Sequence, residues 1–68
     1  MKTSYKIWDK VVYNRNWYNK KDKEWLVYTT ITMIDVYNNT AKYYSVNLEM
    51  FPEGLRNPKQ EEIDLYFK

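Results

Sequence analysis

The chain contains no cysteine and no histidine. No disulfide can staple it, and no Cys/His cage can hold a zinc ion. The Ser-His-Asp and Cys-His arrangements of nucleophilic catalysis are excluded along with histidine general bases. Glycine and proline are scarce: the single Gly and both Pro fall within residues 52–58, which leaves no linker, repeat or low-complexity tract elsewhere. No apolar run is long enough for a transmembrane helix. The opening Met1-Lys2-Thr3-Ser4-Tyr5-Lys6 lacks the apolar stretch of a signal peptide, so a cytoplasmic protein without a membrane partner is expected. Strong charge of one sign is also missing, since eleven Lys and Arg face nine Asp and Glu for a net +2. That is far from the basic balance of a protein whose affinity comes from neutralising phosphates.

What is present points to β structure. One Ala and four Leu stand against eight Tyr, three Trp and two Phe, and aromatic and β-branched side chains suit a pleated surface better than a helix. Sixty-eight residues make one domain, residues 1–68, and a chain of this size buries only about 60% of its unfolded surface. Without staples the core must supply the stability. Asn, Lys, Tyr and Ile supply 28 residues while Ala, Gly, Arg and Pro supply 6, the bias of AT-rich codons, and a low-GC bacterium or its virus is the expected source.

Along the chain, Tyr5, Ile7, Val11 and Tyr13 share one parity and read as a first strand, with Lys6, Lys10 and Asn14 opposite. Residues 14–24 form a polar interval whose centre, Lys20-Lys21-Asp22-Lys23, reads as a hairpin tip. Residues 25–37 make a second strand rich in Val, Ile, Thr and aromatics. Asn38-Asn39 supply the two φ > 0 positions of a type I′ turn; Asn38-Asn39-Thr40 also matches the glycosylation sequon but is read as the turn alone. A third strand runs over residues 40–51. Taking Asn38 and Asn39 as the loop sets Asp35 against Lys42, Met33 against Tyr44, Ile31 against Val46, Thr29 against Leu48 and Val27 against Met50, an almost wholly apolar face. Its reverse sets Ile34 against Tyr43, Thr32 against Ser45, Thr30 against Asn47 and Tyr28 against Glu49, mostly polar. In the tail, Asn57 as N-cap, Pro58 at the first position, Gln60, and then Glu61 and Glu62 in the first turn signal a helix start. Ile63, Leu65 and Phe67 then alternate as in a strand. The expectation is one helical turn running into a short closing strand, with a continuous helix over residues 58–67 as the alternative.

The second strand, about 40 Å long at about 3.3 Å per residue, must bend, and Thr29-Thr30 is the natural place. The expected fold is therefore all-β, a three-stranded antiparallel meander curling into a small barrel-like sheet with a C-terminal helical turn and closing strand. Residues 6–13, 42–46 and 61–66 resemble the opening strand, middle strand and closing turn-plus-strand of small Tudor- or KOW-like barrels of phage and low-GC bacteria. The resemblance covers about half the chain and lacks the glycine that commonly follows the first strand of such barrels.

Three sets of residues are candidates for function. Trp8, Tyr28, Thr30, Thr32, Tyr43, Ser45 and Asn47, on the face opposite the expected core, combine hydroxyls and aromatics with little charge, the composition of a protein-recognition surface; cover by the tail or by a second copy is the structural alternative. Arg15, Trp17, Tyr18, Lys20, Lys21 and Lys23 interleave cations with aromatics, as single-stranded nucleic-acid sites do, although lysines at a turn also keep an edge from pairing. The carboxylates Asp9, Asp35, Glu49, Glu53, Glu61, Glu62 and Asp64 show no ligand spacing, Asp35 has Lys42 as its expected partner, and Glu61-Glu62 is explained by the helix start. No catalytic residue, cofactor or metal is expected. The reading is a non-enzymatic phage- or mobile-element-type protein that binds a host protein through the aromatic face or a sheet edge. Nucleic-acid binding through the hairpin is the alternative, and a homo-oligomeric structural protein, a homodimer for instance, comes third.

Overall fold

The computed structural model describes residues 4–67; the opening Met1, Lys2 and Thr3 lie outside them. The all-β class holds. Among the described residues six strands form two antiparallel three-stranded sheets, and one short helix follows. β1 (Lys10–Asn14), β2 (Leu26–Thr30) and β6 (Leu55–Arg56) make the first sheet in the order β2-β1-β6. β3 (Met33–Tyr37), β4 (Thr40–Ser45) and β5 (Leu48–Met50) make the second in the order β3-β4-β5. The helix α1 spans Gln60–Tyr66.

The long second strand bends as its length requires, two residues beyond the expected point. Ile31 donates its N–H to the Asp9 carbonyl at 3.0 Å and accepts from the Trp8 N–H at 2.7 Å, which extends the β1–β2 ladder. Its neighbour Thr32 turns the other way and donates to the Tyr44 carbonyl at 2.8 Å, with its hydroxyl directed to the same oxygen at 3.3 Å. One ribbon thus has β1 on one side over its first half and β4 on the other over its second.

The expected β3–β4 register is found from Tyr37↔Thr40 to Met33↔Tyr44, and Asn38 and Asn39 adopt the positive φ of the turn, 51° and 59°. Beyond Met33 it fails. β2 pairs with β1, setting Tyr28 opposite Val12 and Val27 opposite Tyr13, while β5 folds back on β4 with Met50 opposite Tyr43. The expected pairs Ile31–Val46, Thr29–Leu48 and Val27–Met50 therefore do not form. The cause lies at the bend: Thr32 and Met33 both oppose Tyr44, a β-bulge, and one extra residue in a period of two turns every later side chain to the opposite face. Ile31 points into the core as expected, but from there Ile34 packs inward and Met33 is exposed.

The core consists of Val11, Tyr13 and Leu55 from the first sheet and Ala41, Tyr43 and Met50 from the second, with Ile31 at the junction. The expected first strand is shorter than read. Tyr5 instead lies in a loop and sets its ring edge-on to Tyr43 at 5.3 Å. Residues 51–54 lead β5 into β6 through a 3₁₀ turn, Pro52–Gly54. Gly54 is required there by close approach: a Cβ would stand 2.6 Å from the Tyr13 ring, 2.9 Å from the Asn14 carbonyl oxygen and 2.9 Å from the Trp17 ring.

The tail closes no sheet. It forms α1, near the continuous helix held as the alternative, with Lys59 rather than Asn57 at the N-cap. The Glu62 carboxylate accepts from the Lys59 N–H at 2.9 Å and so satisfies one of the orphan donors of the helix start. With β5 turned back on β4 and a helix in place of the closing strand, no closed barrel forms among the described residues. The helix covers the outer face of the first sheet. Tyr66 stacks on Tyr28 with centroids 3.8 Å apart, and Arg56 and Glu62 form a bidentate ion pair at 2.7 and 2.8 Å. Val12, between Tyr28 and Arg56 in the ladder, is fully buried although its parity points away from the core.

Ile31 and Val46, paired by the sequence pattern, provide a test. Ile31 is fully buried and Val46 is 82% exposed. Ile31→Ala is expected to destabilise the protein by about 2–5 kcal/mol and Val46→Ala by less than about 0.5 kcal/mol, read as midpoints of thermal and urea unfolding.

Candidate functional site

Three of the predicted protein-binding residues come together at the bend. Trp8 is hydrogen-bonded to Ile31, between Thr30 and Thr32, both half-buried. A tight turn holds it: the Lys6 N–H donates to the Asp9 carboxylate at 2.9 Å, and the Asp9 N–H returns to the Lys6 carbonyl at 3.1 Å. Within this turn Trp8 has φ = 74°, and its side chain is 71% exposed. A left-handed backbone costs a non-glycine residue about 1–2 kcal/mol, and an indole in solvent returns little of that through packing. Ile7 beside it is also exposed.

The other four residues of the predicted face are dispersed. Tyr43, turned inward by the bulge, is 1% exposed and belongs to the core. Tyr28 does face away from the core, but the helix covers it through the Tyr66 stack and an edge contact with Phe67 at 6.5 Å. Burial, followed by the neighbouring Tyr66 and Glu62, raises its pKa. Ser45 ends β4, half-buried, and Asn47 is exposed in the β4–β5 turn. The sequence pattern therefore located the Trp8–Thr30–Thr32 corner, not a continuous face.

The predicted basic hairpin is a constructed loop. Asn14 is its post: its side-chain oxygen accepts from the Asn16 N–H at 2.9 Å and from the Trp25 N–H at 3.0 Å. The Asn16 amide donates to the Lys23 carbonyl at 3.1 Å, and the Asn19 amide to the Asp22 carboxylate at 2.9 Å. Asn14 was expected only as an outward strand residue and Asn16 and Asn19 were not singled out, yet their spacing within a polar interval, with side chains able to cap local backbone, was the available signal. Arg15, Lys20, Lys21 and Lys23 are exposed, as is Tyr18. Trp17 is not free to stack on a base, because it is half-buried against the core and sits 5.9 Å from both Tyr18 and Phe51. Beside the loop runs an open groove of about 350 Å³ whose charged lining sets Lys20 and Arg56 against Asp22, Glu24 and Glu53. A phosphate chain meets no consistent positive field there.

On the outer face of the second sheet the expected Asp35–Lys42 pair is corrected. The two are cross-strand partners, but the Lys42 ammonium pairs with Glu49 on the other side and lies 5.1 Å from the Phe51 ring centroid. Asp35 is left exposed, without an ion-pair partner among the described residues, in a shallow hollow with Tyr37, Asn38, Thr40, Lys42 and Tyr44. Among the described residues no three carboxylates group as a cation site, and no helix is long and apolar enough to cross a membrane.

A scan against protein-family models gives no match, and searches of curated proteins and of solved structures find no similar chain.

The clamp that keeps Tyr28 covered is pH-sensitive in one direction. Hydrogen bonds from Arg56 and then from the Lys59 backbone hold the Glu62 carboxyl down from 4.5 to about 2. Since the folded value is depressed, the helix clamp is at full strength above about pH 4.5 and is lost as pH falls from there through about 2. The ring signals of Tyr28 and Tyr66 are expected to lose their mutual stacking shifts across that window, and Glu62→Gln to weaken stacking at pH 7 and remove this acid transition.

Proposed function

We propose that the protein is a non-catalytic, cytoplasmic binding module of the phage or mobile-element type that recognises a host protein through Trp8. The observation that supports this reading is the indole itself, 71% exposed on a backbone with φ = 74°. Strain of this kind persists where surrounding structure over-determines it and a side chain must be presented. Tryptophan is the side chain most enriched among the anchors that carry interface energy, and Thr30 and Thr32 flank it with hydroxyls at low charge. The kinship with Tudor- and KOW-like barrels is proposed on the same footing, supported by one bent ribbon shared between two sheets. Nucleic-acid binding is the less favoured reading because Trp17 is committed to the core and acidic groups share the hairpin groove.

Trp8→Gly separates presentation from packing. Glycine is at home at positive φ, so the melting temperature is expected to stay level or rise, while capture of a host protein from nuclease-treated lysate is lost. Lys20→Ala with Lys21→Ala should leave that capture intact. Capture that requires intact nucleic acid, with a steep salt dependence flattened by the lysine substitutions, would replace this reading with the other; a large fall in stability for Trp8→Gly would show that the indole serves the fold.

A further inference from the structure

We infer that β3 is an open docking edge that takes an extended segment of the partner as an added antiparallel strand, with a Lys or Arg set opposite Asp35. The inference rests on the protein-binding reading and names its mode. β3 lies at the edge of its sheet. The other short edges, β5 and β6, have three and two residues, and β2 is half-buried along its whole length. In β3, Met33, Asp35, Val36 and Tyr37 are all exposed. Val36 is exposed even though it shares a face with Ile34, which packs on the core.

The backbone of this edge is available in a defined pattern. A two-residue turn makes Tyr37 and Thr40 the closing hydrogen-bonded pair. Met33, Asp35 and Tyr37 thus turn their N–H and C=O groups toward β4, leaving those of Ile34 and Val36 directed outward. The outward side is the one on which Trp8 lies, because Ile31 bonds to residues 8–9 and Thr32 to β4 in opposite directions. A strand added along β3 therefore runs up to the exposed Trp8 and Ile7 at one end.

The edge has neither of the usual deterrents to pairing within it, a lysine or a proline; Asp35 is its single charge. With Lys42 held by Glu49, Asp35 has no cation of its own among the described residues. A second copy of β3 laid antiparallel about its centre sets Asp35 against Asp35, like charges directly opposite, which is unfavourable. A foreign strand with a basic residue there, flanked by apolar residues on the Ile34–Val36 side, meets complementary groups on both faces.

The test titrates the full, isotope-labelled chain with the capped peptide Thr-Thr-Val-Lys-Val-Thr-Thr and with its Glu-for-Lys analogue. The Lys peptide is expected to shift the amide signals of residues 33–37, to slow exchange at Ile34 and Val36, and to bind about five-fold more tightly than the analogue. Asp35→Lys should reverse that preference. Val36→Pro removes an outward N–H without touching the β3–β4 ladder and should abolish binding while the fold is kept. Shifts centred elsewhere, or a preference that Asp35→Lys leaves unchanged, would overturn the proposal. So would self-association that Val36→Pro abolishes, since the occupant would then be a second copy. Trp8-dependent host-protein capture that Val36→Pro and Asp35→Lys both leave intact would sink the edge alone and spare the protein-binding reading. Peptide docking on β3 with no host protein captured would do the reverse.

Discussion

The structure depends on the change of partner between Ile31 and Thr32. Two adjacent residues turn their backbone groups in opposite directions, one toward Asp9 and Trp8 and the other toward Tyr44, so a single ribbon joins both sheets. The Ile31 side chain fills the junction and is fully buried. With no cysteine in the chain to form a disulfide, the two halves of the core are joined through the backbone, by residues 51–54, which lead β5 into β6, and by this ribbon. Other features follow from it: the bulge that turns Ile34 and Tyr43 inward, the folding back of β5 to cover what the ribbon leaves open, and the turn at residues 6–9 that forces Trp8 into the left-handed region.

A small sheet has two faces, and this one needs a cover for each. The inner faces cover one another. The outer face of the first sheet is covered by α1, whose seven residues are too few to be stable as an isolated helix. It is held by the Tyr28–Tyr66 stack and the Arg56–Glu62 pair. Among the described residues the outer face of the second sheet has no such cover. There Lys42 lies over Phe51 and Tyr44 while paired with Glu49, and β3 stays open along its length. The molecule is thus closed on the side of its tail and open near Trp8 and β3, which is why those two features are read together as the interaction surface.

Much of this was legible from the residues. Asn38-Asn39 fixed the turn and the five-residue register that follows it, the length of residues 25–37 demanded a bend, and the polar interval before Trp25 marked a loop between paired strands. Alternation alone could not show where the ribbon changes partner. Thr32 and Met33 both fit a strand, and nothing in a period of two announces one extra residue. Past the bulge Met33 and Asp35, assigned inward, are exposed and Tyr43, assigned outward, is buried for that reason, whereas Leu48 and Met50 pack inward as assigned, from a β5 that folds back on β4. The tail misled differently: Ile63, Leu65 and Phe67 alternate as in a strand, yet Leu65 is simply left in solvent, 74% exposed, while the pairing of Arg56 with Glu62 decides for the helix. Trp8 was identified as a surface candidate from its type and place, but the strain that makes it informative is a backbone property invisible in the sequence.

The partner change can be read directly from through-space contacts between backbone protons. Non-hydrogen-bonded antiparallel pairs bring their Cα atoms within about 4.5 Å, so the account expects strong Hα–Hα cross-peaks for Val12–Tyr28 in the first sheet and for Ile34–Tyr43 in the second. Those two pairs place opposite edges of one ribbon against different strands. Cross-strand peaks joining Thr29 to Leu48 and Ile31 to Val46, with none between Val12 and Tyr28, would show an unbroken hairpin over residues 25–51 and contradict the account.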